Sequence, residues 1–423
     1  MEPTQVGVVA YALQTSRIAR TIWDRVWGEN MNARNESPVT NSRHVFACGV
    51  LLSQFRHGAA TKRYIVALAL TVLIVFAPAN TAWAQLCSAS AQLTPPPLPS
   101  RTEVLATIEK VNNYWIKKNP HPGNSDWTQA TYFTGDLAAY DATGQSNYLS
   151  YAQSWASEHG YSLDGGNTTT YANYQAAGQV YIRLFQLHTN SSDIAGITKS
   201  INGMVNSSVD DEWTWIDAIN MSMPDFVELG SLYNETSYYT KMYSLYSYTK
   251  YSLGLYNLTD GLWWENSTYA NTSTYWSRGN GWVFAAHAKV LSVLPTSDPH
   301  YGEYLATFKT MAAALAACQQ PGGYWNSDLG GTDYAGPESS GTSFFLYGIV
   351  WGLNNGILDQ ATYLPVVESA WGFLANTAVQ SSGLLGYVQP SGSGPGATSA
   401  TTTEDFGVGA FLLAARQMAL FTH

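Results

Sequence analysis

Residues 213–224 read WTWIDAINMSMP, and the only carboxylic acid among them, Asp217, stands between aromatic and aliphatic neighbours. An acid so placed loses solvation, and its charged form becomes costly. Its pKa is then expected to rise until it holds a proton near neutrality, which is what a general acid needs. The plain alternative is a helix N-cap or a buried ion pair, and Pro224, with Ser222 and Asp225, could open a helix of its own. Met221 falls one helical turn beyond Asp217 on the same face, as a site wall or as core filler. Arg278 lies in YWSRGNGW (275–282), between Trp276 and Trp282. Only four arginines follow residue 84 (Arg101, Arg183, Arg278 and Arg416), so one set among aromatics is informative. Further segments share this mixture of aromatic, glycine and isolated polar groups, among them GNSDWTQATYFTG, TTTYANYQAAGQVY, GGYWNSD and TEDFGVGAFLLA. Trp and Tyr beside single polar groups suit sugar rings, which offer C–H faces for stacking and hydroxyls for hydrogen bonds. Any one of these aromatics is more simply core, but the set points to a carbohydrate cleft.

The elements that position these groups read as helical. Apolar spacings of three and four, as in Val104, Ile108, Val111 and Trp115, predict helices near 102–118, 127–142, 146–158, 171–188, 193–206, 214–232, 236–253, 279–294, 299–317, 339–356, 361–376 and 404–420. Turn-rich stretches such as DATGQSN and LPTSDPHYG separate them. Twelve helices make six hairpins, which can close into a ring of inner and outer helices with a cleft at one end. The inserts at 255–277, 320–337 and 380–402 are rich in Gly, Trp and Tyr and are placed as short strands or lips around it. A solenoid of helix pairs is the other architecture, but no fixed-period repeat is visible.

WTWIDAINMSMP, YWSRGNGW, PESSGTSFFLYGIVWGLNNGIL and LGYVQP…TEDFGVGAFLLA occur in that order. Together they resemble glycoside hydrolase family 105, the unsaturated rhamnogalacturonyl hydrolases, from about residue 102 to 420. The resemblance implies an all-α (α/α)6 barrel and an unsaturated uronyl oligosaccharide as substrate. It also implies a distinctive reaction. The C4=C5 enol ether left by a pectin-type lyase is protonated at C4, water adds at C5, and the hemiketal opens to release the next sugar. Asp217 then matches the family's catalytic acid and base, and Arg278 a substrate-binding arginine for the sugar carboxylate. Trp276 and Trp282 would supply stacking surface, and Trp127 and Tyr132 are expected to line the opposite wall. Many members carry a second Asp where this chain has Asn173, in YANYQAAGQ. Asn173 can orient a water or a hydroxyl in support of Asp217 but carries no charge. Glu338, in PESSG, supports a loop near the cleft or caps the following helix.

Related activities stay open: an unsaturated glucuronyl hydrolase, an inverting glycosidase, or a sugar-binding relative without catalysis. The inverting reading needs a second carboxylate facing Asp217, and no motif supplies an obvious one. No metal or cofactor is expected, since no H-x-x-x-H pair and no nucleotide loop are visible.

Residues 65–77, IVALALTVLIVFA, follow Lys62 and Arg63 and precede Ala82-Trp83-Ala84, the layout of a secretory signal. Residues 1–61 then read as an N-terminal extension or an early start, 62–84 as the signal peptide, 85–100 as a Pro-rich linker and 101–423 as the hydrolase domain. An uncleaved signal-anchor is the alternative. Secretion or periplasmic export follows from the cleaved reading, with no stable membrane association afterwards. Residues 1–84 hold eight Lys/Arg and four Asp/Glu, leaving 12 basic against 26 acidic residues, a net of −14. Such a surface does not invite nucleic acid. Cys87 and Cys318 are free to pair, though nothing in the sequence demands it. The eight N-x-Ser/Thr sequons after residue 84, Asn220 among them, read as composition.

Overall fold

The computed structural model describes Cys87, residues 95–331 and residues 333–422. The extension, the signal segment and most of the linker lie outside the described residues. Twelve helices of more than two turns follow: α1 (Arg101–Lys118), α2 (Trp127–Thr143), α3 (Ser146–Glu158), α4 (Ala177–His188), α5 (Ala195–Val205) and α6 (Asp217–Tyr233). They continue with α7 (Thr236–Ser247), α8 (Ser277–Val293), α9 (Tyr301–Cys318), α10 (Ser339–Asn354), α11 (Gln360–Phe373) and α12 (Asp405–Phe421). The chain alternates between an inner ring (α2, α4, α6, α8, α10, α12) and an outer one. Each inner helix packs on the next, and α12 closes the ring against α2. The (α/α)6 barrel is therefore as the helical periodicity and the motifs imply.

Composition explains which helices are inner. In α8, α10 and α12 nearly every residue is buried, because each touches two inner neighbours and an outer helix. Outer α1 buries only one stripe, Val104, Ile108, Val111 and Asn112. It begins with a reciprocal cap, in which Ser100 and Glu103 satisfy each other's backbone N–H groups. Where α12 meets α2, the two backbones touch. A Cβ on Gly135 would collide with the Gly409 carbonyl, and one on Gly409 with the Thr131 carbonyl.

Pro224 lies inside α6 and does not open a helix. Proline leaves the carbonyl four residues earlier, that of Asn220, without its helical donor. The Gln179 side-chain amide on α4 donates to that carbonyl at 2.8 Å instead. The missing bond is thus replaced across the ring, and the helix continues. Asn220 itself is buried, and its Oδ1 accepts from Lys289 at 3.2 Å, so this sequon has no room for a glycan.

The inserts form the lips. β1 (Tyr256–Asn257) pairs antiparallel with β2 (Leu262–Trp263), and single bridges join Trp215 to Asn266, Trp276 to Asp328 and Trp325 to Glu338. Cys87 and Cys318 form a disulfide, which pins the linker to the end of α9. Among the described residues, no helix is long and apolar enough to cross a membrane.

Candidate active site

The first turns of α2 and α6, with the short turn before α4 and two of the lips, enclose a cavity of about 310 Å³. Asp217 opens α6 and reaches into it, with Met221 one turn further along the same wall. Trp127, the first residue of α2, forms another wall, stacked on Phe406 with ring centroids 5.1 Å apart. Asn173 lies on a single helical turn, Ala172–Gln175, that breaks away from α4 so that its side chain faces the cavity. Of the residues expected from sequence, Asp217, Asn173, Met221 and Trp127 therefore meet at one place.

Three other expected contacts are corrected. Tyr132 is buried 20 residues from Asn112 in sequence and donates to its Oδ1 at 2.7 Å, while the Asn112 amide donates to Asp136 at 2.7 Å. Five residues after Trp127 is well off its helical face, so Tyr132 turns to the outer helix. Trp282 is fully buried beneath Trp127, its ring 4.3 Å from Phe344. Trp276 is buried too, with its ring face taken by the Arg278 guanidinium at 4.5 Å and its N–H donated to Gln389 Oε1 at 2.9 Å.

Arg278 is placed behind the cavity wall, not in it. Its guanidinium is fully buried between Trp276 and Phe406, the latter at 4.6 Å. It donates to the backbone carbonyls of Gln389 at 2.7 Å and Pro390 at 3.0 Å. Those bonds clamp the strip Ser391–Ser393, which forms the far lip of the cavity. Gln389 Nε2 to Gly394 O (2.8 Å) and Gly396 N to Ser327 Oγ (2.9 Å) tie the strip further. Glu338 caps α10, accepting from the N–H groups of Ser340 at 3.0 Å and Gly341 at 2.6 Å, and also accepts the Gln389 N–H at 3.1 Å. Both expected roles are seen: it caps α10 and it supports the loop that forms the lip.

No sequence motif supplies an obvious second carboxylate beside Asp217, but the fold brings one there, Glu265. It is 3% exposed yet lines the same cavity, and the two carboxyls lie within hydrogen-bonding reach of one another. Backbone pairing sets this contact: the Ile216 N–H donates to Glu265 O at 3.0 Å, and Trp215 bridges Asn266. Space for it comes from Gly279, where an added Cβ would stand 2.7 Å from Glu265 Oε2. Asp217 Oδ1 and Glu265 Oε2 are both sealed from solvent with no other hydrogen-bond partner. Burial pushes Asp217 up to about 7, against the charge of Arg278 and a hydrogen bond from Glu265. Burial first, and then the charge of Asp217, push Glu265 well above the usual carboxylate range. Below neutrality each acid therefore holds a proton, and above it Asp217 ionises first.

Trp215 and Tyr171 were not anticipated either; they line the cavity with rings 5.4 Å apart. A larger cavity, about 340 Å³, lies among the later turns of the inner helices. Its arginines are spent internally: Arg183 and Arg416 both pair with Asp141, at 2.7 and 3.5 Å. The smaller cavity, with its perturbed acids and stacking rings, is the chemical one.

An (α/α)6 barrel with a buried acid pair, Asp217 from the start of an inner helix and Glu265 from a lip, defines a helical-barrel glycoside hydrolase. Residues 106–422 match the sequence profile of Glycosyl Hydrolase Family 88, and the chain belongs to that family. Solved family-105 structures, the group its ordered motifs resemble, are among its structural neighbours. It is 28% identical over 323 residues to an unsaturated 3S-rhamnoglycuronyl hydrolase of Alteromonas sp. (strain LOR), covering 70% of this chain and 78% of that one. A solved family-88 glycosyl hydrolase from Bacteroides vulgatus is 34% identical with TM-score 0.72, covering 76% of this chain and 100% of that one. A solved protein titled a polysaccharide lyase is 36% identical with TM-score 0.72, covering 76% and 98%.

Proposed function

We propose that this hydrolase removes an unsaturated uronic acid, with its C4=C5 double bond, from the non-reducing end of lyase-generated pectic oligosaccharides of the rhamnogalacturonan type. The observation that carries the reading is a solvent-poor Asp217 that holds a proton near neutrality, in a cavity walled by Trp127, Trp215 and Tyr171. Asp217 protonates C4 of the enol ether. Positive charge develops at C5 and the ring oxygen, where the aromatic walls and the acid pair receive it. Asp217, now a carboxylate, takes a proton from the water that adds at C5, with Asn173 orienting that water. The hemiketal so formed opens and releases the remaining saccharide. Arg278 acts through the Ser391–Ser393 lip it clamps. The carboxyl pair supports this reading over ordinary glycosidic hydrolysis. Inverting and retaining enzymes keep their carboxyls about 5–9.5 Å apart, whereas these two lie within hydrogen-bonding reach of one another.

The sequence likeness to a rhamnoglycuronyl hydrolase supports a uronate joined to a rhamnose-type neighbour. Export through the segment at 62–84 is part of the same proposal, supported by the Cys87–Cys318 disulfide, which persists in oxidising compartments. The likeness to a solved polysaccharide lyase favours a second reading, in which the site creates the double bond instead of consuming it. One assay separates them. The protein is incubated with unsaturated rhamnogalacturonan and rhamnoglycuronyl disaccharides, and separately with the intact polymers, while the enol-ether absorbance is followed. A fall with a disaccharide, abolished in Asp217→Asn, supports the hydrolase. A rise with a polymer and no fall with either disaccharide supports the lyase.

A further inference from the structure

The cavity presents a charge problem. A uronic acid enters as an anion, yet among the described residues lining the cavity none is Lys, Arg or His, and two are acids. Arg278 is near, but its guanidinium is buried behind the wall and its Nη1 and Nη2 atoms are bound to the Gln389 and Pro390 carbonyls. Two carboxylates facing a third would repel it strongly at low local dielectric.

We propose that Glu265 is kept as an uncharged acid and donates its proton, as a hydrogen bond, to the carboxylate of the incoming uronic acid. This rests on the unsaturated uronyl hydrolase reading for its substrate, and it assigns the carboxylate subsite within that reading. Glu265 has the geometry. It lines the cavity, and the backbone of Ile216 and the gap at Gly279, which receives its sealed Oε2, fix it beside Asp217. The charged groups that face it are Asp217, from the start of α6, and Arg278, from α8; Glu338 and Glu404 act on Arg278 in turn. Burial and Asp217 favour the neutral form of Glu265 and outweigh Arg278. A neutral donor in a dry site can bind an anion without a countercharge. It also leaves Asp217 free to deliver its own proton to carbon.

Sign and size follow. When Glu265 ionises it stops donating and repels the ligand, so affinity falls about tenfold per pH unit above its pKa. Glutamine keeps an N–H donor and cannot ionise. The test is calorimetric binding of a saturated hexuronate, galacturonate, to wild type and Glu265→Gln between about pH 6 and pH 9.5, which needs no turnover. Turnover of an unsaturated disaccharide is measured alongside as KM and kcat. Asp217, at about 7, ionises within that range in both proteins and weakens both alike; ionisation of Glu265 adds a further loss in wild type only, so wild-type affinity is expected to fall more steeply with pH than that of Glu265→Gln, with KM following the same pattern. The proposal is overturned if the variant weakens as steeply as wild type, or if it loses turnover as completely as Asp217→Asn, which would make Glu265 the acid. Should Glu265→Gln not fold, Asp217→Asn serves. Hexuronate binding to it at alkaline pH, compared in two buffers of different ionisation enthalpy, takes up a proton if Glu265 must be neutral and takes up none if the proposal is wrong. Binding without any turnover by wild type would sink the hydrolase reading while leaving the Glu265 result legible.

Discussion

At Asp217 three influences favour the charged form: the nearby Arg278, the hydrogen bond from Glu265, and a place in the first turn of α6, where the helix dipole welcomes an anion. Burial outweighs all three and brings the acid to about 7. The protonated fraction is then lost above neutrality, so kcat/KM on an unsaturated uronide should be level below pH 7 and fall as pH rises past it; a profile that keeps climbing to alkaline pH contradicts this. Replacing Asp217 by Asn should lower kcat by about 10²–10⁴ or more, the worth of a positioned acid. Stability carries the opposite sign. The folded pKa lies above the ordinary 3.8, so the folded state holds the extra proton between 3.8 and about 7, and stability declines as pH rises through that window. Asn does not titrate, so the melting temperature of Asp217→Asn relative to wild type should be more favourable at pH 8 than at pH 4. Asp217 was legible because an acid among aromatics is conspicuous. Glu265 answers the same description, in GLWWENS, and could have been found by the same rule. What made it hard to see is that its contact with Asp217 is made by strand pairing across 48 residues, which no local spacing encodes.

Among the elements, helix periodicity recovered all twelve long helices, because each buries a continuous stripe against a neighbour. It erred where the cleft intervenes. The expected helix at 214–232 starts later, at Asp217, since Trp215 and Ile216 are taken by pairing with Asn266 and Glu265. The expected helix at 171–188 is divided near Ala176, which turns Asn173 toward the cavity. The glycines of TEDFGVG and YFTG serve the ring closure more than a sugar. Gly409→Ala drives a methyl into the α2 backbone and should cost about 1–3 kcal/mol, read as a lower denaturation midpoint with an unchanged pH profile. Arg278→Lys tests the lip. An ammonium cannot reproduce the planar fork that holds two carbonyls between two rings, so the Ser391–Ser393 strip should loosen. Expected are a KM raised about tenfold, roughly one lost charged hydrogen bond, and faster proteolysis within 389–396. Unchanged KM and protease resistance would mean that the clamp does not shape the site.

For the whole molecule, the acidic balance and the ring of helices were readable from composition and pattern, whereas the Cys87–Cys318 pairing was not, because it depends on where the linker docks. With that disulfide formed, thiol titration of the unfolded, unreduced full chain should find one free cysteine, Cys48, and reduction should expose all three. The proposed function turns on one event, the delivery of a proton from Asp217 to C4 of an unsaturated uronic acid. The most direct measurement is turnover of the unsaturated rhamnogalacturonan disaccharide in deuterium oxide, with early product examined by nuclear magnetic resonance. A single deuterium in one configuration at C4 is the expected result, present from the first turnovers and absent with Asp217→Asn. Label spread equally over both C4 positions, or arriving only after an intact unsaturated monosaccharide has been released, would contradict it.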